Sequence, residues 1–462
     1  MNSYLVFIIA VILIGYLLES VVALLNLRSL DPELPAEFQD VYDREEYARS
    51  QEYTRVTTRF SLLQNTVMTV LTLGFILSGG FNLVDRVARS FGLGSIVTGL
   101  IFSGLVFLIS AAAELPFSVY STFVIEERFG FNTTTVKTFV LDIVKAVLLG
   151  ALIGGPLLAF VLWFFAIGGS LAWLYCWLAV VAFTVTIQFL APVLIMPLFN
   201  TFTPLADGEL KEAITAYARA ERFKMKGIYT MDGSKRSTRL NAFFTGFGRF
   251  RRIVFFDTLV DKLRPGEIVA VLAHEMGHFR LRHIFKMMAA TIIQMGIMFY
   301  ILSLFLMNMG LFAAFGMEHL SIYASLIFFG FLYAPISLLL SIVANYFSRR
   351  HEYEADAYAV TSTGRPDAMI SGLKKLCVTN LANLTPHPLN VFLNYSHPPV
   401  LARIKAIRAL AEKNTPGQQG RANCQLCNRP FAPGDLARST ASNRLLCPGC
   451  LAEENNCGCT DE

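Results

Sequence analysis

Residues 4–25, YLVFIIAVILIGYLLESVVALL, contain a single charged side chain, that of Glu19. A helix needs roughly 20 predominantly apolar residues to cross a bilayer, so this stretch predicts a membrane-spanning helix near the start of the chain. It has neither a basic leading region nor a small-residue cleavage site. These features favour a retained anchor over a removable signal peptide.

Similar apolar stretches recur along the 462 residues, of which 54% are hydrophobic and only 16% are charged. This composition is unusual for a soluble protein and indicates that lipid surrounds much of the chain. We therefore predict an α-helical polytopic membrane protein with seven transmembrane helices. The predicted spans are 4–25, 66–84, 95–113, 146–167, 171–198, 287–306 and 322–343.

The distribution of spans and polar segments predicts four parts. Residues 1–200 form a five-span membrane domain, and residues 201–412 form a second domain with two spans and a soluble portion. Residues 413–423 are a linker rich in Gly and Gln, and residues 424–462 are a Cys-rich tail. Within the second domain we predict helices at 207–223, 267–282, 350–362, 367–377 and 399–412, and strands at 240–246 and 253–259.

The positions of Lys and Arg beside the spans predict the orientation in the membrane. Positive charges follow the first, third and seventh spans, whereas the connections 168–170 and 308–319 contain none; Arg86 and Arg89 are the exceptions. The N-terminus is therefore expected outside and the C-terminus and soluble portion in the cytosol. The net charge of +5 fits anionic lipid headgroups, and no basic stripe suggests a nucleic-acid partner.

A metal-binding motif lies in the predicted helix 267–282: His274-Glu275-Met276-Gly277-His278. Imidazoles at i and i+4 project from one helical face toward a single ion. Glu275, beside them, can take a proton from the attacking water and return it to the leaving amine. A surface helix with two scattered histidines is the alternative, which Leu272, Ala273 and Gly277 disfavour because they indicate a closely packed helix.

A catalytic zinc site requires a third protein ligand. Glu352 and Asp356 are also i and i+4 on a predicted helix, so one carboxylate can reach the metal while the other hydrogen-bonds a ligating histidine. A solvated acidic helix face explains the same spacing equally well. Glu354 and His351 project elsewhere from this helix, and His283, five residues past His278, falls off the metal-facing line, so we expect none of these three to bind the metal.

Several motifs, in the same order along the chain, give it a resemblance to a known family. They are residues 120–132 (YSTFVIEERFGFN), 196–200 (MPLFN), 241–243 (NAF), the histidine motif with its trailing 281–283 (LRH), 352–356 (EYEAD) and 396–399 (SHPP). Up to about residue 412 the chain resembles the Ste24-type M48 metallopeptidases, the CAAX prenyl proteases. The resemblance implies a zinc endopeptidase whose seven helices enclose a chamber, closed on the cytosolic face by an α+β zincin-type domain.

The same resemblance assigns roles to particular residues. It implies that Glu352 is the third zinc ligand and Asp356 its supporting carboxylate. His397, on a loop constrained by two prolines, is implied as an oxyanion donor, although a histidine that caps a turn is an alternative. Arg403 matches an arginine near the family's site, which implies contact with the substrate, whereas an isolated arginine on a helix is usually solvated.

The strand around Asn241 and Phe243 is a candidate for binding substrate. An extended peptide can pair with an exposed strand edge through main-chain hydrogen bonds, which read little sequence. Asn241 can in addition hold a substrate carbonyl, although asparagine is also common in turns.

The tail has the cysteine spacing of a zinc ribbon, Cys424-x-x-Cys427 and Cys447-x-x-Cys450 with nineteen residues between the pairs. We expect these thiolates to hold a structural zinc ion, because the predicted cytosolic side disfavours disulfides. Cys457 and Cys459 can substitute for one of these pairs or ligate a second ion. A tail of this kind departs from the usual pattern of the resembled family.

The sequence thus predicts a membrane-embedded zinc endopeptidase that acts on extended, membrane-associated or lipidated peptides. A site-2-type intramembrane protease is the alternative enzyme, but Glu267, Arg280 and Arg282 beside the motif disfavour a lipid-exposed helix. A zinc-binding transporter or scaffold is the non-enzymatic alternative, disfavoured because such a site does not need Glu275.

The arginine distribution generates a topological prediction. A reporter fused after Glu462 should be cytosolic, and the same reporter inserted into the connection 168–170 should be external, as measured by protease protection of sealed vesicles. An external C-terminal reporter would contradict both the orientation and the reducing environment expected for the cysteines.

Overall fold

The computed structural model describes residues 2–245 and 252–414 and, further along, four two-residue strands. Most of the described chain is helical. In chain order the helices are α1 (Ser3–Arg28), α2 (Arg44–Leu77), α3 (Gly80–Ser90), α4 (Ser95–Tyr120), α5 (Val136–Leu149), α6 (Gly155–Ile167), α7 (Ala172–Leu190), α8 (Met196–Phe199), α9 (Glu209–Ala220), α10 (Asp257–Lys262), α11 (Pro265–Arg280), α12 (His283–Phe305), α13 (Met309–Ala314), α14 (Ile322–Thr363), α15 (Pro366–Thr379), α16 (Pro388–Asn394) and α17 (Val400–Asn414).

Seven helical segments in the described chain are long and apolar enough to cross a membrane, which confirms the predicted number. Single helices form four of them: α1, α2, α12 and α14. The other three include π-helical segments, with Ser121–Glu126 extending α4, Gly150–Gly154 joining α5 to α6, and Ala191–Ile195 joining α7 to α8. The protein is therefore a multi-span integral membrane protein.

Several predicted boundaries are wrong: the third span extends to Glu126, the fourth begins at Val136, and the strand predicted at 253–259 ends at Phe256. The second span, predicted at 66–84, belongs to α2, which begins at Arg44 and ends before Gly79, a residue with φ of 74°. The predicted helix 350–362 is the end of α14, which continues from the last span without a break. Hydropathy detects only the apolar part of a helix, so it misses polar turns that continue beyond the lipid.

The two arginines that disagree with the predicted topology are both paired. Arg89 Nε lies 2.7 Å from Asp85 Oδ2, and the fully buried Asp85 also accepts a 2.5 Å hydrogen bond from Tyr323. Arg86 forms an ion pair with Glu318. Their charges are thus compensated locally, by contacts that attach α3 to the start of α14.

The soluble portion contains a four-stranded sheet with the order β1-β2-β4-β3. Its strands are β1 (Phe202–Pro204), β2 (Gly227–Met231), β3 (Ala242–Thr245) and β4 (Arg252–Phe256). β2 and β4 are parallel, with Thr230 opposite Phe255, and the other two pairings are antiparallel. β3 therefore lies at an edge of this sheet, and β3 and β4 correspond to the two strands predicted from the sequence at 240–246 and 253–259.

The sheet and the helices α9 to α11 share one apolar core. Ile214, Leu259, Ile268, Leu272 and Met276 are each at most 1% exposed in it. Because the last three recur at helical spacing along α11, the face of α11 that they occupy is fixed against the sheet. The opposite face is left for the histidines.

Two arginines connect the soluble portion to the membrane helices. Arg236 makes a bidentate salt bridge to Asp142 of α5, at 2.7 and 3.0 Å, and donates to Asn200 at 2.8 Å. Arg239 pairs with Glu126 at 3.0 Å and lies over the ring of Phe131, 4.2 Å from its centroid. Residues of the motifs 120–132 and 196–200 thus hold the segment that leads into β3.

The chain divides into a compact unit Met1–Arg403 and a second unit Ile404–Glu462. The second unit begins within α17. Its other described elements are β5 (Ala422–Asn423) paired with β6 (Pro430–Phe431), and β7 (Ala437–Arg438) paired with β8 (Leu445–Leu446), both antiparallel.

Candidate metal centre

Three potential metal ligands meet where α11 faces α14. His274 and His278 are one helical turn apart on α11, and Glu352 is on α14. The two Nε2 atoms lie 3.2 Å apart, and Glu352 places Oε1 3.2 Å from His278 Nε2 and Oε2 3.5 Å from His274 Nε2. The two histidines and the glutamate predicted from sequence are therefore brought together.

These distances fit a zinc ion. Ligand atoms at the 2.0–2.2 Å typical of zinc are about 3.3–3.6 Å apart when they occupy corners of a tetrahedron. Glu352 Oε2 is buried and, within the described chain, lacks a well-directed hydrogen bond, as expected of an atom that faces a cation. The donor set of two imidazoles and one carboxylate is typical of catalytic zinc.

The electrostatics of the centre also favour a cation. Burial lowers the pKa of His274, but its contacts with the carboxylates of Asp356 and Glu352 outweigh burial and raise this pKa to about 9. The carboxylates of Asp356 and Glu352 therefore stabilise a positive charge at His274. A divalent ion bound here would provide that positive charge while His274 stays neutral.

Asp356 supports His274 from behind. Its Oδ1 lies 2.8 Å from His274 Nδ1, which leaves Nε2 directed at Glu352. Arg403 donates to both oxygens of Asp356, at 2.6 and 2.8 Å, and its Nη1 lies 3.3 Å from Glu352 Oε2. The Arg403 side chain is 11% exposed, so the general expectation that an isolated helical arginine is solvated is wrong here.

Glu275 lies beside the two histidines and lines a cavity of about 300 Å³ with them. Burial raises the pKa of its carboxyl above the usual range. This carboxyl is therefore a stronger base than an exposed glutamate, and it lies next to the space where a reacting group would enter.

His397 lies at the same cavity. Its Nε2 lies 3.4 Å from Glu352 Oε1, its Nδ1 lies 2.9 Å from Ser396 Oγ, and its side chain is 64% exposed. An exposed ring held on one side can reach a bound molecule.

The strand edge also borders the cavity. Asn241 and Ala242 line the cavity, and the edge strand β3 begins at Ala242. Asn380 holds Leu240 by hydrogen bonds in both directions, at 3.0 and 3.3 Å. Phe243 packs edge-on against Phe256, with ring centroids 6.4 Å apart.

His283 lies closer to the centre than the sequence suggested. Helical spacing placed it off the metal-facing line, on the assumption that one helix runs through residue 282. α11 instead ends at Arg280, Arg282 has φ of 58°, and α12 begins at His283, whose Nδ1 lies 3.1 Å from His278 Nδ1. Glu354, expected to project elsewhere, lies 3.0 Å from His283 Nε2. The position of His283 directly after the end of the predicted helix 267–282 was the sequence feature that could have indicated its approach to His278.

The four tail cysteines, Cys424, Cys427, Cys447 and Cys450, lie outside the described residues. The structural zinc assigned to them stays a prediction.

A close helix contact brings the candidate ligands together. A Cβ atom added at Gly277 would lie 3.0 Å from Ala355 Cα and 3.2 Å from its carbonyl oxygen. Because Ala355 is adjacent to Asp356 and one turn from Glu352, the contact at Gly277 sets the distance between the histidines and their carboxylates.

Comparison with family models gives two matches. Residues 23–201 match the model described as "CAAX prenyl protease N-terminal, five membrane helices", and residues 204–411 match "Peptidase family M48". Residues 412–462 lie outside both matched ranges.

Similar proteins are found in plants, fungi and animals. "CAAX prenyl protease 1 homolog" of Arabidopsis thaliana is 34% identical over 87% of this chain and 96% of its own length. "CAAX prenyl protease 1" of Saccharomyces cerevisiae is 34% identical over 83% of this chain and 90% of its own. Among solved structures, S. mikatae Ste24p matches with a TM-score of 0.84 and 31% identity, covering 88% of this chain and 99% of that one.

The contact at Gly277 generates a prediction. Gly277→Ala should force α11 and α14 apart, lower zinc affinity and destabilise the fold by about 1–3 kcal/mol, the usual range for overpacking. Chelator competition and thermal unfolding in detergent measure the two effects.

Gly266→Ala is the matched control on α11. Its added Cβ would first meet Arg365 Nη1 at 3.7 Å, an ordinary contact, so zinc affinity should not change. Wild-type stability and zinc affinity in Gly277→Ala would show that the close approach does not set the ligand geometry.

Proposed function

The chain belongs to the Ste24-type group of peptidase family M48 and is a membrane zinc metallopeptidase, and from this premise we propose which residues bind the metal, which transfer protons and which substrates are cleaved. The observation that supports the proposal most directly is the convergence of His274, His278 and Glu352 beside Glu275.

We assign the metal to His274, His278 and Glu352. Zinc, when bound there, acts as a Lewis acid that polarises the scissile carbonyl and the attacking water. Asp356 holds His274 in the tautomer that directs Nε2 at the metal, and Arg403 holds Asp356 and balances the charge of both carboxylates. The contacts of Arg403 thus favour a positioning role over the substrate-binding role considered from sequence.

Glu275 is the general base. Its carboxylate accepts a proton from the attacking water and delivers it to the nitrogen of the leaving amine. The raised pKa brings this carboxyl closer to neutral pH, where both halves of the transfer are favourable. His397, at the mouth of the cavity, donates to the oxyanion that develops on the scissile carbonyl.

Substrates are extended peptide segments of membrane-associated proteins. β3 offers the edge of a sheet beside the cavity, so a peptide can add to it as a further strand, with Asn241 contacting a peptide carbonyl near the metal. Phe243 lies further along the same strand and contributes apolar contact. The relatives' names, CAAX prenyl protease 1, extend this class to lipidated peptides.

The alternatives considered from sequence are less favoured. α11, which bears the histidine motif, has 16 residues and is not among the described segments that are both long and apolar enough to span a membrane, unlike the motif helix of a site-2-type protease. Membership of a peptidase family disfavours a non-catalytic transporter or scaffold.

In the membrane, we place the N-terminus outside and the active-site domain with the C-terminus in the cytosol. The tail from residue 424 is proposed as a separate structural zinc module, joined by the linker 413–423. A reducing cytosol keeps its cysteines available as thiolates.

The division between ligands and base predicts two kinds of variant. His274→Ala, His278→Ala or Glu352→Ala should lose zinc and cleavage together. Glu275→Gln should keep its zinc while turnover falls by about a hundredfold to ten-thousandfold, because the amide cannot accept the proton. Metal analysis and cleavage of a lipidated fluorogenic peptide measure both.

Glu212→Gln, the same substitution at an exposed position on α9, is the control and should be unaffected. If Glu275→Gln lost zinc as readily as His278→Ala, Glu275 would be a ligand and the proposed mechanism would fail. Peptides retained by Glu275→Gln, identified by mass spectrometry, would define the natural substrates.

The tail generates a separate prediction. Truncation after Lys413 should remove about one zinc equivalent, the content of one four-thiolate site, and leave cleavage of a short peptide largely intact. The buried Cys176, as Cys176→Ala, is the control and should keep its zinc content. Unchanged zinc after truncation would contradict the ribbon assignment, and complete loss of activity would show that the catalytic fold requires the tail.

A further inference from the structure

We propose that His283 and Glu354 form a positioning relay that holds the ring of His278 in the orientation required for metal binding. This inference rests on the proposed ligand role of His278. It assigns a function to two residues that neither bind the metal nor line the strand edge.

The relay is a continuous chain of short contacts. His278 Nδ1 lies 3.1 Å from His283 Nδ1, and His283 Nε2 lies 3.0 Å from Glu354 Oε2. The other oxygen of Glu354 accepts a 3.0 Å hydrogen bond from Arg350 Nε, one turn earlier on α14. The ring of His278 is thus connected to α14 through His283.

Only one arrangement of protons satisfies these contacts together with metal binding. A ligating His278 Nε2 presents a lone pair, so the neutral ring carries its proton on Nδ1. His283 Nδ1 must then accept a hydrogen bond from the Nδ1–H of His278. This places the proton of neutral His283 on Nε2, where it donates to the carboxylate of Glu354. The relay therefore selects the tautomer of His278 that binds metal.

Burial makes the relay specific. The His283 side chain is 3% exposed, so water does not replace its hydrogen bonds. Its ring stacks on that of His351, with centroids 4.0 Å apart and planes at 12°, which restricts rotation about the bond to the ring. His274 thus has a direct carboxylate partner in Asp356, and His278 has an indirect one in Glu354.

The same residues do not form a convincing second metal site. His283, His351 and Glu354 are close enough to suggest one. However, an imidazole binds metal in its ring plane, and two nearly parallel stacked rings cannot both direct their lone pairs at one ion with good geometry. Both nitrogens of His283 also have partners already.

The test compares zinc affinities of the full-length protein in detergent. His283→Phe keeps a ring to stack on His351 but removes the acceptor for His278. We expect zinc to bind about 10- to 100-fold more weakly, the usual effect of losing an outer hydrogen-bond partner of a metal ligand. Chelator competition measures this, with the binding phase that disappears in His278→Ala taken as the catalytic site.

Two controls separate positioning from general disruption. His351→Phe keeps the stack and should leave zinc affinity unchanged, whereas a second metal site would lose an equivalent. Glu354→Gln retains an oxygen that can accept from His283 and should weaken zinc binding less than Glu354→Ala. The visible spectrum of the cobalt-substituted protein should shift in His283→Phe and Glu354→Ala, while unfolding midpoints in excess chelator stay close to wild type.

Zinc affinities of His283→Phe and Glu354→Ala within twofold of wild type, in folded protein, would overturn the relay. So would equal losses in Glu354→Gln and Glu354→Ala, or loss of metal in His351→Phe. Glu275→Gln, assayed in parallel, distinguishes a failure of the relay from a failure of the proposed catalytic mechanism. If it still cleaves peptide, the proposed mechanism fails, whereas a normal zinc affinity in His283→Phe beside an inactive Glu275→Gln rejects the relay alone.

Discussion

The metal centre depends on the close approach of α11 to α14 at Gly277. The backbone of Ala355 occupies the space that any larger side chain would need, so the two helices meet with almost no side chain between them. Glu352, Glu354 and Asp356 surround Ala355 on α14. One backbone contact therefore sets the position of the proposed ligand Glu352 and of the carboxylates that contact His274 and His283.

The sequence was sufficient for the parts of this arrangement that are local. Apolar stretches predicted the number of spans, and the i and i+4 spacing identified His274 with His278 and Glu352 with Asp356 as pairs on single helical faces. Spacing within one helix is fixed by helix geometry, so these inferences needed no knowledge of the fold.

Inferences that crossed a helix end or a long loop were less successful. His283 was placed away from the metal because helical spacing was extended through Arg282, where the structure has a left-handed residue and a new helix. The resemblance placed Arg403 near the site, with solvation as the alternative, but neither reading identified its partner Asp356, which is 47 residues away and meets it only through the packing of the chain. The second span was displaced because hydropathy cannot detect the polar start of α2 at Arg44.

The balance of charge explains why these buried groups tolerate one another. Glu275, Glu352 and Asp356 contribute three negative charges when ionised, and Arg403 returns one positive charge. Burying the remaining two charges without compensation would be costly. A divalent cation at the proposed ligands would neutralise them, whereas a proton on His274, which its raised pKa favours, neutralises only one. We therefore expect metal binding and the stability of this part of the fold to be coupled, and the charge left after pairing with Arg403 matches that of a divalent ion.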